Sequence, residues 1–193
     1  MQVLILTTLV TVIGAGRFES GNDSSDRNNK IGLLAIQLEV RLTNQTGPSV
    51  NDWICYLSDS YKVFKNAKNF DDAENRCRQS GAHLVSIHNE VENQLVYNLT
   101  TSGNFITCFG DFVYIGFKKN FQTGYWHWTD GSNVDYINWS PTQPSNPETE
   151  GCGQLMQDPW QGVIEYQLEK MKWNDISCDT PMEYFVCKRR GCI

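Results

Sequence analysis

The stretch NFDDAENRCRQSGAHLVSIHNEVENQL, residues 69–95, predicts two helices separated by a short break. The first begins at Asn69, whose side chain can cap a helix N-terminus, and Asp71 and Asp72 suit the positive end of the helix dipole. Its apolar residues share one face: Phe70, Ala73 and Cys77. Gly81 is a natural end point, because glycine readily adopts the left-handed conformation that terminates many helices.

The second helix of this stretch begins at Asn89, with Glu92 three residues later as in a capping box. Val91, Leu95 and Leu99 recur at helical spacing, so we expect them to form its inward stripe.

Downstream of Gly103 the chain changes to short aromatic segments separated by turn residues. These segments are FVYIGF (112–117), GYWHW (124–128) and YINW (136–139). Segments of this kind are typical of strands and loops. Helices first and strands afterwards predict an α+β fold rather than an alternating α/β one.

The composition indicates one domain with extensions. The chain has 193 residues, of which 20% are charged and 12% aromatic, so we expect a true hydrophobic core. Its net charge of −6 argues against a nucleic-acid partner or an anionic membrane surface and is compatible with cation binding.

The N-terminus predicts export. The apolar segment VLILTTLVTVI (3–13) has the length of a signal-peptide core and is too short to cross a bilayer. No Lys or Arg precedes it, and a buried strand is the alternative interpretation. We assign residues 1–16 to a signal peptide, 17–52 to a polar extension and linker that includes a strand-like stretch (36–42), and 53–193 to the domain. We therefore expect a secreted, extracellular protein without membrane insertion.

Seven cysteines in an exported chain should mostly form disulfides, and the odd number leaves at least one without a partner in the chain. The cysteines and the three histidines lack zinc-finger spacing, so zinc is not expected. Asn-x-Ser/Thr sequons, which predict a glycoprotein once the chain is exported, occur at Asn22, Asn44, Asn98 and Asn138.

Seven sequence pieces, taken in order, resemble the C-type lectin-like domain. They are YKVF (61–64), the two-helix stretch (71–93), YIGF (114–117), WHWTDGS with INW (126–139), CGQLMQD (152–158), WNDISC (173–178) and EYFVCKR (183–189). The resemblance spans Trp53 to Arg189. It implies an α+β fold with two helices, short antiparallel sheets, a long loop region and stabilising disulfides.

The family pairs its four core cysteines first with last and second with third. The resemblance therefore implies two disulfides, Cys77–Cys187 and Cys152–Cys178. We further expect Cys55 to pair with Cys192, because the two ends of this fold lie close together. Cys108 is then either buried and inert or bridged to another chain in a disulfide-linked oligomer.

The resemblance also implies a calcium site. In the family, a triplet such as Glu-Pro-Asn or Gln-Pro-Asp supplies two ligands that flank a cis proline, and Gln143-Pro144-Ser145 stands at this place. The candidate calcium ligands, which would also contact the sugar, are Gln143, Ser145, Glu150, Asn174 and Asp175. Ser145 departs from the pattern, and its short hydroxyl is a weaker ligand. We expect one calcium at most, because Lys119 and Thr123 replace the acids of the family's auxiliary site and a lysine would repel a cation.

A calcium of this kind keeps open coordination positions for two sugar hydroxyls, so the resemblance implies a glycan-binding partner. Gln143 brings the triplet nearer to galactose-type than to mannose-type members. Galactose binding usually also needs an aromatic face, for which Trp160 is the candidate; a core or turn role is the alternative. Trp160 lies in a lengthened segment, 158–172, which is either a lid beside the site or a tolerated surface insertion.

Two other functions compete with this one. Many domains of this fold bind no sugar, so the main alternative is a calcium-independent protein ligand in which Trp173 is a core residue and Asn174-Asp175 a turn. An enzyme is not expected, because no Ser/His/Asp arrangement is evident in the sequence.

Overall fold

The computed structural model of the protein describes residues 53–162 and 168–192. The predicted signal peptide, the polar extension and its strand-like stretch all lie outside the described residues, as do residues 163–167 of the lengthened segment. Within the described ranges, no helix is long and apolar enough to cross a membrane.

Helix α1, Phe70–Gln79, begins and ends where the sequence predicts. The side chain of Asn69 caps it by accepting a 2.8 Å hydrogen bond from the amide of Asp72. The predicted inward residues are buried: Phe70, Ala73 and Cys77. After the helix, Gly81 has a φ of +68°, in the left-handed region that favours glycine.

Helix α2, Glu90–Thr100, has the predicted cap but a rotated inward face. Asn89 accepts a 2.9 Å hydrogen bond from the amide of Glu92, whereas the Glu92 carboxylate accepts one from the amide of His88. The buried residues are Glu92, Asn93, Leu95, Val96 and Thr100. Val91 and Leu99, which were expected to point inward with Leu95, are only partly buried at its edges.

Two buried polar side chains explain this rotation. Glu92 pairs with the ammonium of Lys188 and accepts a 2.7 Å hydrogen bond from the hydroxyl of Tyr61. Asn93 accepts a 2.9 Å hydrogen bond from Nε1 of Trp173. Because buried polar groups are stable only when they are hydrogen-bonded, these partners allow the inward face to include Glu92 and Asn93.

Eight strands of the described chain join in one sheet. They are β1 Ile54–Tyr56, β2 Asp59–Ala67, β3 His83–Leu84, β4 Val113–Lys119, β5 Trp126–Trp128, β6 Cys152–Leu155, β7 Trp173–Ile176 and β8 Met182–Arg190. The order is β1-β2-β8-β4-β6-β7, with β3 on β8 and β5 on β4. The pairs are antiparallel except for β4 and β8, which run parallel, so the sheet is mixed. Of the predicted strand YINW, only Trp139 forms a bridge, to Trp173.

Two large groups of buried apolar side chains form most of the core. The first is built around Phe117, Trp128 and Trp173, whose ring centroids lie 4.5 to 5.6 Å apart. The second packs α1 against β8. Trp173 is completely buried, as the structural interpretation of WND required, but Asn174 and Asp175 lie in strand β7 and not in the expected turn.

All three expected disulfides are present: Cys55–Cys192, Cys77–Cys187 and Cys152–Cys178. The second ties α1 to β8, and the third closes the base of the region between β6 and the end of β7. Cys108 has no disulfide partner and is exposed, so the expectation of a buried, inert thiol is wrong.

Candidate functional site

Strand β7 holds two of the five predicted ligands in place. Asn174 and Asp175 follow the buried Trp173 and are 4% and 1% exposed. Asp175 lies opposite Gly153 of β6, where an added Cβ would approach the Cβ of Phe117 to 3.0 Å. Close packing around β7 therefore leaves these two residues little freedom.

The loop before β6 supplies the other three ligands. The Gln143–Pro144 bond is cis, as the resemblance implied. Asn146 has a left-handed φ of +34°, and its carbonyl accepts a 3.0 Å hydrogen bond from the amide of Glu150. The turn at Asn146 thereby brings Glu150 back towards Ser145.

The structure brings the loop and β7 together. The amide of Ser145 donates a 2.8 Å hydrogen bond to Oδ1 of Asp175, across 30 positions of sequence. The hydroxyl of Ser145 lies 3.2 Å from Oε2 of Glu150. On β7, Nδ2 of Asn174 donates to the carbonyl of Asp175 at 2.7 Å. Ser145 thus links the two carboxylates of the predicted set.

Two acceptors of this cluster are buried without a donor. Oε1 of Gln143 and Oδ2 of Asp175 have no hydrogen-bond partner in the described structure. Since buried oxygens are nearly always paired, an acceptor pair of this kind suits a bound cation. The five residues thus fit calcium in donor chemistry: two carboxylates, two amides and a hydroxyl.

The surroundings of Asp175 change its pKa. Burial raises the pKa of Asp175 to about 6, and the nearby Glu150 carboxylate adds to the rise. Within the described ranges, no three or more His, Cys, Asp or Glu side chains group as a metal site. A cation here would therefore depend on the amide and hydroxyl oxygens as well as on the two carboxylates.

Lys119, which was expected to repel a second cation, is held by the same loop. Its ammonium donates a 2.7 Å hydrogen bond to the carbonyl of Pro147 and lies 5.7 Å from the ring centre of Phe121. Thr123 sits in the β4–β5 turn, where its amide lies 3.2 Å from Oδ1 of Asn120.

Trp160, the predicted sugar platform, belongs to a small apolar cluster. Its ring stacks on Phe109 at 5.0 Å and meets Phe112 edge-on at 5.7 Å. Nearby, the buried Asp158 accepts a 2.7 Å hydrogen bond from the hydroxyl of Thr101. These contacts favour the core role for Trp160 and anchor the start of the lengthened segment to the end of α2.

One constellation was missed by sequence reasoning. Nε2 of His88 lies 3.2 Å from Oγ of Ser86, and its Nδ1 lies 2.8 Å from Oδ1 of Asp135. Ser86 is fully buried, however, and donates its proton to Asp130 at 2.6 Å. Because a substrate could not reach this hydroxyl and its proton points away from His88, the group lacks the geometry of a nucleophile and its base. The only sequence signal for this group was the i,i+2 spacing of Ser86 and His88.

Known proteins match this chain in sequence and in fold. The family model of the lectin C-type domain matches residues 66–189. The alpha-N-acetylgalactosamine-specific lectin of Patiria pectinifera is 32% identical over 141 residues, which are 70% of this chain and 77% of that protein.

Two solved structures have the same fold. The mouse scavenger receptor C-type lectin carbohydrate-recognition domain has a TM-score of 0.58 and 27% identity, over 74% of this chain and 97% of that one. A calcium-independent type II antifreeze protein has a TM-score of 0.57 and 25% identity, over 74% of this chain and 94% of that one. The family model covers more than half of the chain and agrees with these relatives, so the protein belongs to the C-type lectin domain family.

Proposed function

We propose that this protein is a secreted, calcium-dependent carbohydrate-binding protein of galactose type. The observation that carries the proposal is the pair of buried, unpartnered oxygens on Gln143 and Asp175. One belongs to the cis-proline loop and the other to β7, and the hydrogen bond from the amide of Ser145 to Asp175 joins these two segments. The domain would act by binding alone, with no catalytic residue.

The cation would be held by Gln143, Ser145, Glu150, Asn174 and Asp175. Two carboxylates would offset the charge of one Ca²⁺, and the amide and hydroxyl oxygens would complete the hard-oxygen set that calcium prefers. A bound calcium supplies open coordination positions for two vicinal sugar hydroxyls. The same ligand side chains would then hydrogen-bond those hydroxyls and fix the orientation of the sugar.

The galactose-type assignment is supported by two observations. Gln143 precedes the cis proline, as in the galactose-type triplets that the sequence resembles. The relative from Patiria pectinifera is named for N-acetylgalactosamine, a sugar of the same hydroxyl geometry. Trp160 is not part of this proposal, because its ring packs on Phe109 and Phe112.

Secretion is supported by the three disulfides, which form and persist in oxidising compartments.

In such a compartment the exposed thiol of Cys108 would be available to a second chain, and a dimer would raise the avidity of a weak single-site lectin. A band of twice the chain mass on a non-reducing gel, absent in Cys108→Ser, would support that pairing. Its absence from the secreted wild type would exclude it.

A calcium-independent protein ligand is the second candidate. In its favour, hydrogen bonds of the chain itself join the loop to β7 and within the loop, from Ser145 to Asp175 and to Glu150. The calcium-independent antifreeze protein also has the same fold.

Thermal melts with calcium and with EDTA separate the two candidates. Calcium at a hundred times its Kd should add about 2.7 kcal/mol to the free energy of unfolding. Retention on galactose resin with elution by EDTA would support the sugar class, and retention on mannose resin would reverse it. A melt that is indifferent to calcium would favour the protein ligand.

A further inference from the structure

Lys119 fastens both ends of the segment that carries Glu150. At one end, its ammonium donates a 2.7 Å hydrogen bond to the carbonyl of Pro147. At the other end, its backbone amide donates a 2.8 Å hydrogen bond to the carbonyl of Gly151. Glu150 lies between these two attachment points, so the last residue of β4 constrains the path of the chain on both sides of this carboxylate.

Phe121 completes the attachment. Its ring lies so close to Gly151 that an added Cβ there would fall 2.5 Å from the ring carbon Cζ. The turn that carries the ring is itself closed by a 2.9 Å hydrogen bond from the amide of Asn120 to the carbonyl of Tyr125. Lys119 and Phe121 therefore both contact the segment 147–151, although the Phe121 ring is itself exposed.

Two effects of Lys119 on a cation at Glu150 oppose each other. As a positive charge it should weaken calcium binding, which is the expectation drawn from the sequence. As a donor to Pro147 it should strengthen calcium binding, because a loop that is ordered beforehand loses less conformational freedom when the ion binds. Lys119 is only partly buried and its bond to Pro147 is exposed, so solvent weakens the repulsion. Its hydrogen bond is short and direct.

We propose that Lys119 is a positioning residue that orders the Glu150 segment for the cation, and that this effect outweighs its repulsion. The proposal rests on the calcium site of the proposed function. In a site with a single calcium, the ammonium of Lys119 would hold the loop through its bond to Pro147.

The test is the sign of the change in calcium affinity. Lys119→Met removes the ammonium and keeps most of the apolar stem, and titration calorimetry of the full secreted chain should show calcium binding weakened by about fivefold or more. Lys118→Met is the matched control: it removes the same charge from the neighbouring residue, whose ammonium pairs with Asp71 at 2.8 Å instead of with the loop. This control should stay within about twofold of wild type, and Lys119→Arg should recover most of the lost affinity.

Hydrogen exchange of the calcium-free chain gives a second readout. The amides of Thr149 and Glu150, which both donate to the carbonyl of Asn146, should exchange about tenfold faster in Lys119→Met. The amides of the β2–β8 pair should be unchanged, which shows that the fold is intact.

The outcomes separate the two proposals. Equal or tighter calcium binding by Lys119→Met overturns the positioning role and leaves the calcium site intact. Unchanged hydrogen exchange at Thr149 and Glu150 in this variant also overturns the positioning role. If the wild type itself binds no calcium, the proposed function fails and the role in cation binding fails with it. The exchange rates then still decide whether Lys119 orders the loop.

Discussion

The amide of Ser145 donates a 2.8 Å hydrogen bond to Oδ1 of Asp175 and so occupies one oxygen of a carboxylate whose other oxygen is buried and unpartnered. The bond from Ser145 thus orients the Asp175 carboxylate. No donor of the described chain reaches Oδ2, which is therefore available to a bound ligand. This division of the two oxygens makes Asp175 the most informative residue for experiment.

Replacing Asp175 by Asn should abolish the response to calcium. The amide keeps an oxygen that can accept from Ser145, but it removes the negative charge that a cation requires. The expected result is that the stabilisation by calcium in thermal melts falls to zero, whereas Asp179→Asn, a change at an exposed aspartate in the same stretch, retains it. A full calcium response in Asp175→Asn would show that the ion binds elsewhere.

The stability of the calcium-free protein should fall as pH rises from about 4 to about 7. Burial raises the pKa of Asp175 to about 6 from an unfolded value of 3.8, so the folded state holds its proton more tightly. The stabilising contribution is complete below the unfolded pKa and is lost as pH rises through the folded pKa. Calcium should reverse the trend, because it binds the deprotonated form.

Melts in EDTA and in calcium across this pH range check the sign. In EDTA, Asp175→Asn should lack this contribution to the pH dependence, and in wild type the gain from calcium should be larger near pH 7 than near pH 5. A calcium gain that is independent of pH would contradict the assignment of Asp175 as a ligand.

Calcium affinity should depend on the length of the side chain at position 145. The side chain of Ser145 is short, and its hydroxyl lies 3.2 Å from Oε2 of Glu150. Ser145→Asn offers a longer amide oxygen and should tighten binding by about tenfold, whereas Ser145→Ala removes the oxygen and should weaken binding. Calorimetry of both variants gives the order, and an alanine variant that binds as tightly as the asparagine variant would remove position 145 from the ligand set.

Asn138 should carry no glycan in spite of its sequon. The residue is 7% exposed, Nδ2 donates to the carbonyl of Met171 at 2.9 Å, and Oδ1 accepts from Lys172 at 2.6 Å. A glycan attached to Nδ2 would break this packing, so the prediction of a glycoprotein cannot rest on this site. Peptide mapping of the secreted chain after enzymatic release of glycans should find Asn138 unmodified. A label there in correctly folded protein would show that the burial is not obligatory.

The elements whose cause is local could be predicted from the sequence. Asn69 and Asn89 cap their helices because the capping bond is made to an amide only three residues away. The three disulfides and the cis Gln143–Pro144 bond followed from the family resemblance and from the closeness of the ends of the fold.

The features that depend on distant partners could not be predicted. The inward face of α2 includes Asn93 because Trp173 donates to it from 80 positions away, which helical periodicity does not detect. Lys119 was interpreted by charge alone, since its bond to Pro147 depends on how the loop folds back over β4. For Trp160 both a sugar platform and a core or turn role stayed open, because the sequence did not show that Phe109 would meet its ring.

The bond between Cys55 and Cys192 has a mechanical consequence. Its two Cα atoms lie 5.3 Å apart although 137 positions of chain separate them. A force that pulls on Trp53 and on Cys192 is therefore transmitted through a covalent link and bypasses the sheet. A pull applied at these two ends of the domain would therefore leave the loop around Gln143 and Glu150 free of tension.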